Sequence, residues 1–83
     1  MFHKVKKINV IKKYILETTF ENDVVKYYDV SQLFEKWKAF ENLKTIEGLF
    51  DQAKVDKGGY GISWNEDLDI ECEELWEHGV DSY

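Results

Sequence analysis

The clearest pattern in the chain runs from Tyr14 to Phe20. Tyr14, Leu16, Thr18 and Phe20 fall on one face of an extended segment, and Ile15, Glu17, Thr19 and Glu21 fall on the other. A period of two marks a half-buried strand. Upstream, residues 5–11 are short and rich in β-branched side chains, which reads as another strand. Downstream, Glu21-Asn22-Asp23 signals a turn, because Asn and Asp tolerate positive φ. Residues 24–30 then read as a third strand, pairing with the second as an antiparallel hairpin.

The spacing then changes. Leu33, Phe34, Trp37 and Phe40 stand at i, i+1, i+4 and i+7, the stripe of an amphipathic helix. Ser31 is a natural N-cap, and Asp29 with Gln32 three residues on makes a capping box one turn earlier. Residues 41–48 form a connection with one helical turn at 45–47, closed by Gly48. A second hairpin follows, with Ala53 and Val55 on one strand and Tyr60, Ile62 and Trp64 on the next. Asp56-Lys57-Gly58-Gly59 is the turn between them. Leu68 and Ile70 alternate with Asp67, Asp69 and Glu71 along a strand edge. Residues 71–78 read as a short helix stopped by Gly79, with Glu71, Glu73 and Glu74 where the helix dipole favours negative charge. The expected fold is α+β, one domain over residues 1–83: a β-hairpin, a helix, a second β-hairpin and a short C-terminal helix. Trp37, Phe40, Phe50, Tyr60, Trp64 and Trp76 are the expected core. Trp37 and Trp64 are expected to be buried against each other's element across the helix–sheet interface.

Composition supports a packed core in so short a chain. Of 83 residues, 43% are hydrophobic and 16% aromatic, and large rings bury much area each. The charge is unevenly placed. Residues 1–44 carry a net +3 and residues 45–83 a net −9, for a total of −6. Every basic residue is Lys. Without Arg, and with an acidic total, no direct nucleic-acid partner is expected. No uncharged run is long enough to span a bilayer, so no membrane partner is expected. No apolar run follows Met1-Phe2-His3-Lys4, so no secretory signal is expected, and the one cysteine, Cys72, cannot form an internal disulfide. A cytoplasmic location is the expectation from both.

An ordered series of motifs resembles the small bacterial DUF2442 family, whose members have no established activity. The residues that carry it are Tyr14-Ile15-Leu16 with Phe20, Glu21-Asn22-Asp23, Asp29-Val30-Ser31 and Phe40-Glu41-Asn42-Leu43. It continues through Phe50, Ala53-Lys54-Val55-Asp56, Ile62-Ser63-Trp64 and Asp69-Ile70. Two positions depart from that pattern: Asn22-Asp23 replaces a frequent Gly in the first turn, and Glu71-Cys72 replaces a frequent Ser-Pro at the last helix. The resemblance implies an α+β fold and, because some relatives resemble fusions to a helix-turn-helix or stand beside small toxin-like proteins, a regulatory or antitoxin-type binding module.

Candidate chemistry is sparse. His3 and His78 lie at opposite ends of the sequence and offer no zinc spacing, and Asp67-x-Asp69-x-Glu71 lacks the glycine of a calcium loop. Cys72 is crowded by Glu71, Glu73 and Glu74, which disfavours a thiolate. Gly58-Gly59-Tyr60-Gly61 is followed by no Lys-Ser/Thr and reads as a turn. No catalytic residue, metal or cofactor is expected. The expected function is a non-enzymatic protein-interaction or regulatory module, in one form the antitoxin-like partner of a small basic protein, with a homodimer left open. Its expected partner-binding residues are Glu66, Asp67, Asp69, Glu71, Glu73, Glu74, Glu77 and Asp81. The alternative is a small-ligand-binding domain with a pocket between helix and sheet.

Overall fold

The computed structural model describes residues 2–83. It is an α+β fold of two three-stranded antiparallel sheets. The first sheet joins β1 (Val5–Lys12), β2 (Ile15–Phe20) and β3 (Val25–Asp29) in sequence order. Leu16, Thr18 and Phe20 point into the core from β2, as the alternation predicts, and Ile15 at the start of the strand is also buried. The β1–β2 turn consists of Lys13 and Tyr14, so Tyr14 belongs to the turn and not to the strand. Tyr14 takes φ +68 there. Its carbonyl accepts the Val30 N–H at 2.8 Å, and its ring packs edge-on against Phe34 and Phe50. Those contacts hold a non-glycine residue in a left-handed conformation it rarely adopts. The β2–β3 turn matches expectation: Asp23 sits at φ +70, and Asn22 Oδ1 accepts the Val24 N–H.

The second sheet joins β4 (Lys54–Val55), β5 (Gly61–Asn65) and β6 (Leu68–Glu71). Tyr60 precedes β5 and is exposed, which corrects its place in the expected core. Gly59 joins the two sheets. Its φ is +80, and a Cβ there would stand 2.6 Å from the Val5 carbonyl of β1. One buried cluster runs through both sheets, from Val5, Leu16, Phe20 and Tyr28 to Ile62, Trp64, Leu68 and Leu75. The chain closes with α2 (Cys72–His78), whose Leu75 enters that cluster. Gly79 ends α2 in an extended conformation, its N–H donating to the Leu75 carbonyl. Val80 then exchanges two 2.8 Å hydrogen bonds with Tyr27, closing the outer edge of β3.

The helix expected over residues 31–40 does not form. Two 3-10 turns, Val30–Leu33 and Lys38–Glu41, stand in its place. Asp29 caps the first, its Oδ1 accepting from the Ser31 N–H and hydroxyl, while Gln32 donates back to the Asp29 carbonyl. Trp37 opens the second with an extended backbone, φ −135 and ψ 115. That break turns Phe40 inward onto Trp64, at 6.1 Å between ring centres. It also turns Trp37 outward, 56% exposed. Trp37 is therefore not a core residue and does not face the second sheet's core as Trp64 does. Trp64 instead lies between Phe40 and Phe50 and donates its indole N–H to the Phe50 carbonyl at 3.0 Å. The single helical turn of the connection is α1 (Asn42–Thr45), earlier than the expected 45–47, and Gly48 follows at φ +82.

Candidate partner-binding groove

The outward Trp37 forms one wall of an open groove of about 450 Å³. Its floor is apolar, from Leu33, Phe40 and Ile70. Asp67, Asp69, Glu71 and Glu74 also line the groove, the side chains of Asp69 and Glu71 alternating with that of Ile70 across the strand. Local sequence places each of these. In β6 the alternation buries Leu68 and Ile70 and exposes Asp69 and Glu71. Asn65 Oδ1 accepts the N–H groups of Asp67 and Leu68, at 2.8 and 3.0 Å, which folds the β5–β6 turn and sets Asp67 at the groove's end. Glu74 reaches the rim from the first turn of α2. It accepts the Tyr28 hydroxyl at 2.7 Å and lies 3.2 Å from His78 Nδ1. Burial first, then this hydrogen bond and the neighbouring carboxylates, push the Tyr28 hydroxyl far above its usual pKa.

The eight acids read from the sequence divide between two adjoining grooves and the open surface. Asp67, Asp69, Glu71 and Glu74 converge on the Trp37 groove. Glu73 lies instead with Asp69 and Glu71 on a neighbouring groove of about 380 Å³ that carries Phe2 and Tyr60. Glu66, Glu77 and Asp81 are exposed and line neither groove. Glu73 is also engaged internally. It accepts the His3 backbone N–H at 2.6 Å and lies 3.1 Å from His3 Nδ1. The backbone bond first, and the ring contact second, hold its carboxyl below the usual glutamate range. The His3 ring stacks on Trp76 at 3.8 Å. His3, distant in sequence, thus ends beside α2, which carries His78, a placement that no local signal announces.

These groups are poorly suited to nucleophilic or metal chemistry. Cys72 is 1% exposed, and burial and then Glu73 push its thiol pKa up. Such a sulfur holds its proton. Among the described residues, no group of three or more His, Cys, Asp or Glu is placed to hold a metal ion. A third groove, of about 680 Å³, runs between the β1–β2 turn and residues 43–51, and carries Lys12, Lys13 and Lys44. Glu47 and Asp51 also line this groove and offset two of its three lysines.

A family profile described as "Protein of unknown function (DUF2442)" matches residues 5–81. The chain belongs to the DUF2442 family. No curated protein and no solved structure matches it significantly. In this DUF2442 chain, no helix among the described residues is long and apolar enough to cross a membrane. Asp69 and Ile70 of β6 line the Trp37 groove.

Proposed function

We propose that this DUF2442 chain is a non-enzymatic interaction module that docks a basic protein segment in the groove beside Trp37. The observation that carries the reading is the position of Trp37, 56% exposed in a groove that Asp67, Asp69, Glu71 and Glu74 also line. Burying a large apolar side chain is worth about 1.5–3 kcal/mol. Trp37 forgoes much of that in the free chain, and a docked partner recovers it. Tryptophan is also the residue most enriched where binding energy concentrates. Its ring face attracts Lys and Arg, and among the described residues no lysine of the chain lies over it. Asp67, Asp69, Glu71 and Glu74 add an attractive field that selects a basic partner and speeds its arrival. A small basic toxin-like protein is one partner with this chemistry, so an antitoxin-like role falls within the reading.

Photocrosslinking tests it. A photoreactive amino acid replaces Ala39, exposed on the groove wall, and in a second protein replaces Ile46, exposed on the lysine groove. In the native host, position 39 is expected to capture a basic protein that position 46 does not, with a lower yield when Trp37→Ala is added. The absence of any adduct specific to position 39, or an acidic adduct there, contradicts the reading.

A further inference from the structure

β6 ends the second sheet, so one edge pairs with β5 and the other is bare. The hydrogen-bond pattern shows which groups the bare edge presents. The Cys72 N–H donates to the Tyr60 carbonyl at 2.9 Å, and Ile70 stands opposite Ile62 two residues along. In an antiparallel ladder, bonded and non-bonded pairs alternate. Ile70 therefore bonds to β5, and the N–H and C=O of Asp69 and the N–H of Glu71 point away from it; Glu71 is the N-cap of α2, and its carbonyl takes the first bond of that helix. Gly61, opposite Glu71, agrees: its carbonyl turns to β4's side and accepts the Asp56 N–H at 2.9 Å.

The other sheet edges are closed or unsuited. Val80 covers β3, and β4 is two residues long. β1 carries exposed Lys6, Lys7 and Lys12, which repel a basic segment. Among the described residues, only at β6 do outward-facing backbone groups lie beside an apolar groove and acidic residues.

We propose that the outer edge of β6 accepts an extended segment of the basic partner as a fourth strand of the second sheet. This rests on the interaction reading above and supplies its mode. Residues directly opposite across a strand pair share a face. The partner residue opposite Ile70 then faces the groove of Leu33, Trp37 and Phe40 and is apolar. The residues opposite Asp69 and Glu71 are Lys or Arg. The recognised pattern is basic-apolar-basic, with main-chain bonds supplying affinity and the alternate side chains supplying choice. A second copy is a poor occupant. Two β6 edges paired antiparallel bring Asp69 and Glu71 against their own kind, and like charges directly opposite destabilise a pair.

The test uses the full chain and a fluorescent peptide of about seven residues alternating Lys and Val, long enough for one strand. A second peptide carries N-methyl groups on alternate backbone nitrogens, in either register, which removes strand donors without changing charge. Two protein variants complement them. Glu71→Gln removes the charge only. Glu71→Pro removes the charge and the outward N–H, and Glu71 already has φ −70 and ψ 152, which proline adopts. The plain peptide is expected to bind wild type. N-methylation and Glu71→Pro are each expected to weaken binding about tenfold or more, and Glu71→Gln only a few-fold, since one lost hydrogen bond plus a blocked edge exceeds one exposed charge. Should Glu71→Pro fail to fold, the N-methylated peptide decides alone. Equal binding of the plain and N-methylated peptides, or equal loss in Glu71→Pro and Glu71→Gln, overturns strand addition and leaves the interaction reading standing. Failure of every peptide also overturns it, whereas the interaction reading answers to the crosslink at position 39. A wild-type dimer dissolved by Glu71→Pro assigns the edge to a second copy and overturns the proposal.

Discussion

The Tyr28 hydroxyl donates to Glu74 Oε2 across 2.7 Å, tying a wholly buried ring of β3 to the rim of the Trp37 groove. The same carboxylate lies within 3.2 Å of His78 Nδ1. The rim position of Glu74 is thus fixed by the core and by its own helix, so the groove's charge is held in place before any partner arrives. Such preorganisation lowers the ordering cost of binding.

Removing that hydroxyl tests the tie. Tyr28→Phe is expected to lower stability by about 1.5–3 kcal/mol, the range for a hydrogen bond to a charged group. The effect depends on pH. The folded-state pKa of Tyr28 is raised above its ordinary value of 10.0, so its contribution is complete below that value and is lost as pH rises above it. Urea denaturation at neutral pH and above pH 10 is expected to show the gap between wild type and variant narrowing.

The two tryptophans separate core from surface. Trp64→Ala empties a site between Phe40 and Phe50 and is expected to cost about 3–5 kcal/mol. Trp37→Ala removes an exposed ring and is expected to change stability by about 0.5 kcal/mol or less, the ordinary range for a surface change. Denaturation midpoints of the two variants check this, and equal losses contradict the outward placement of Trp37.

Much of this was legible in the sequence, and the failures have physical causes. The alternation of β2 and β6 survives because one face of each strand is buried, and a one-residue slip would expose Leu16 and Phe20, or Leu68 and Ile70. The helical stripe misled because Leu33, Phe40 and Leu43 are buried by two 3-10 turns and one short α-turn as readily as by one helix. Lys36 and Lys38 on both sides of Trp37 were the available sign that this stretch faces water. The Lys13-Tyr14 turn has no Gly or Asn, so tertiary packing, not turn chemistry, sets Tyr14's positive φ. The charge split of the sequence foretold an acidic region. It could not show that Asp67, Asp69, Glu71 and Glu74 line a groove while Glu73 bonds to His3, because that contact spans 70 residues of chain.

Thr18 offers a gain of stability. It is wholly buried on β2, and its Oγ1 has no hydrogen-bond partner among the described residues. Replacing a buried unpaired hydroxyl by a methyl removes a desolvation penalty of about 1–3 kcal/mol. Thr18→Val is therefore expected to raise the thermal midpoint by several degrees, read by circular dichroism; a lower midpoint contradicts this account of the site.

The His3–Glu73 contact predicts an acid-sensitive N-terminal attachment. The folded-state pKa of Glu73 is lowered from the ordinary 4.5, so its contribution is present above that value and is lost as pH falls through the lower one. Glu73→Gln is expected to lower the melting temperature at neutral pH and to match wild type in strong acid. A constant difference across that range contradicts the assignment.

The central claim, that the Trp37 groove docks a basic partner, is tested most directly by one association rate. The partner captured through position 39 is mixed with wild type and with the Asp67→Asn, Asp69→Asn double variant, at low salt and near 1 M salt, where the Debye length falls to roughly 3 Å. The account predicts a slower on-rate for the double variant at low salt, with the two proteins converging at high salt, because steering acts on encounter. Equal on-rates at every salt concentration contradict it, and leave the carboxylates of the rim no part in recognition.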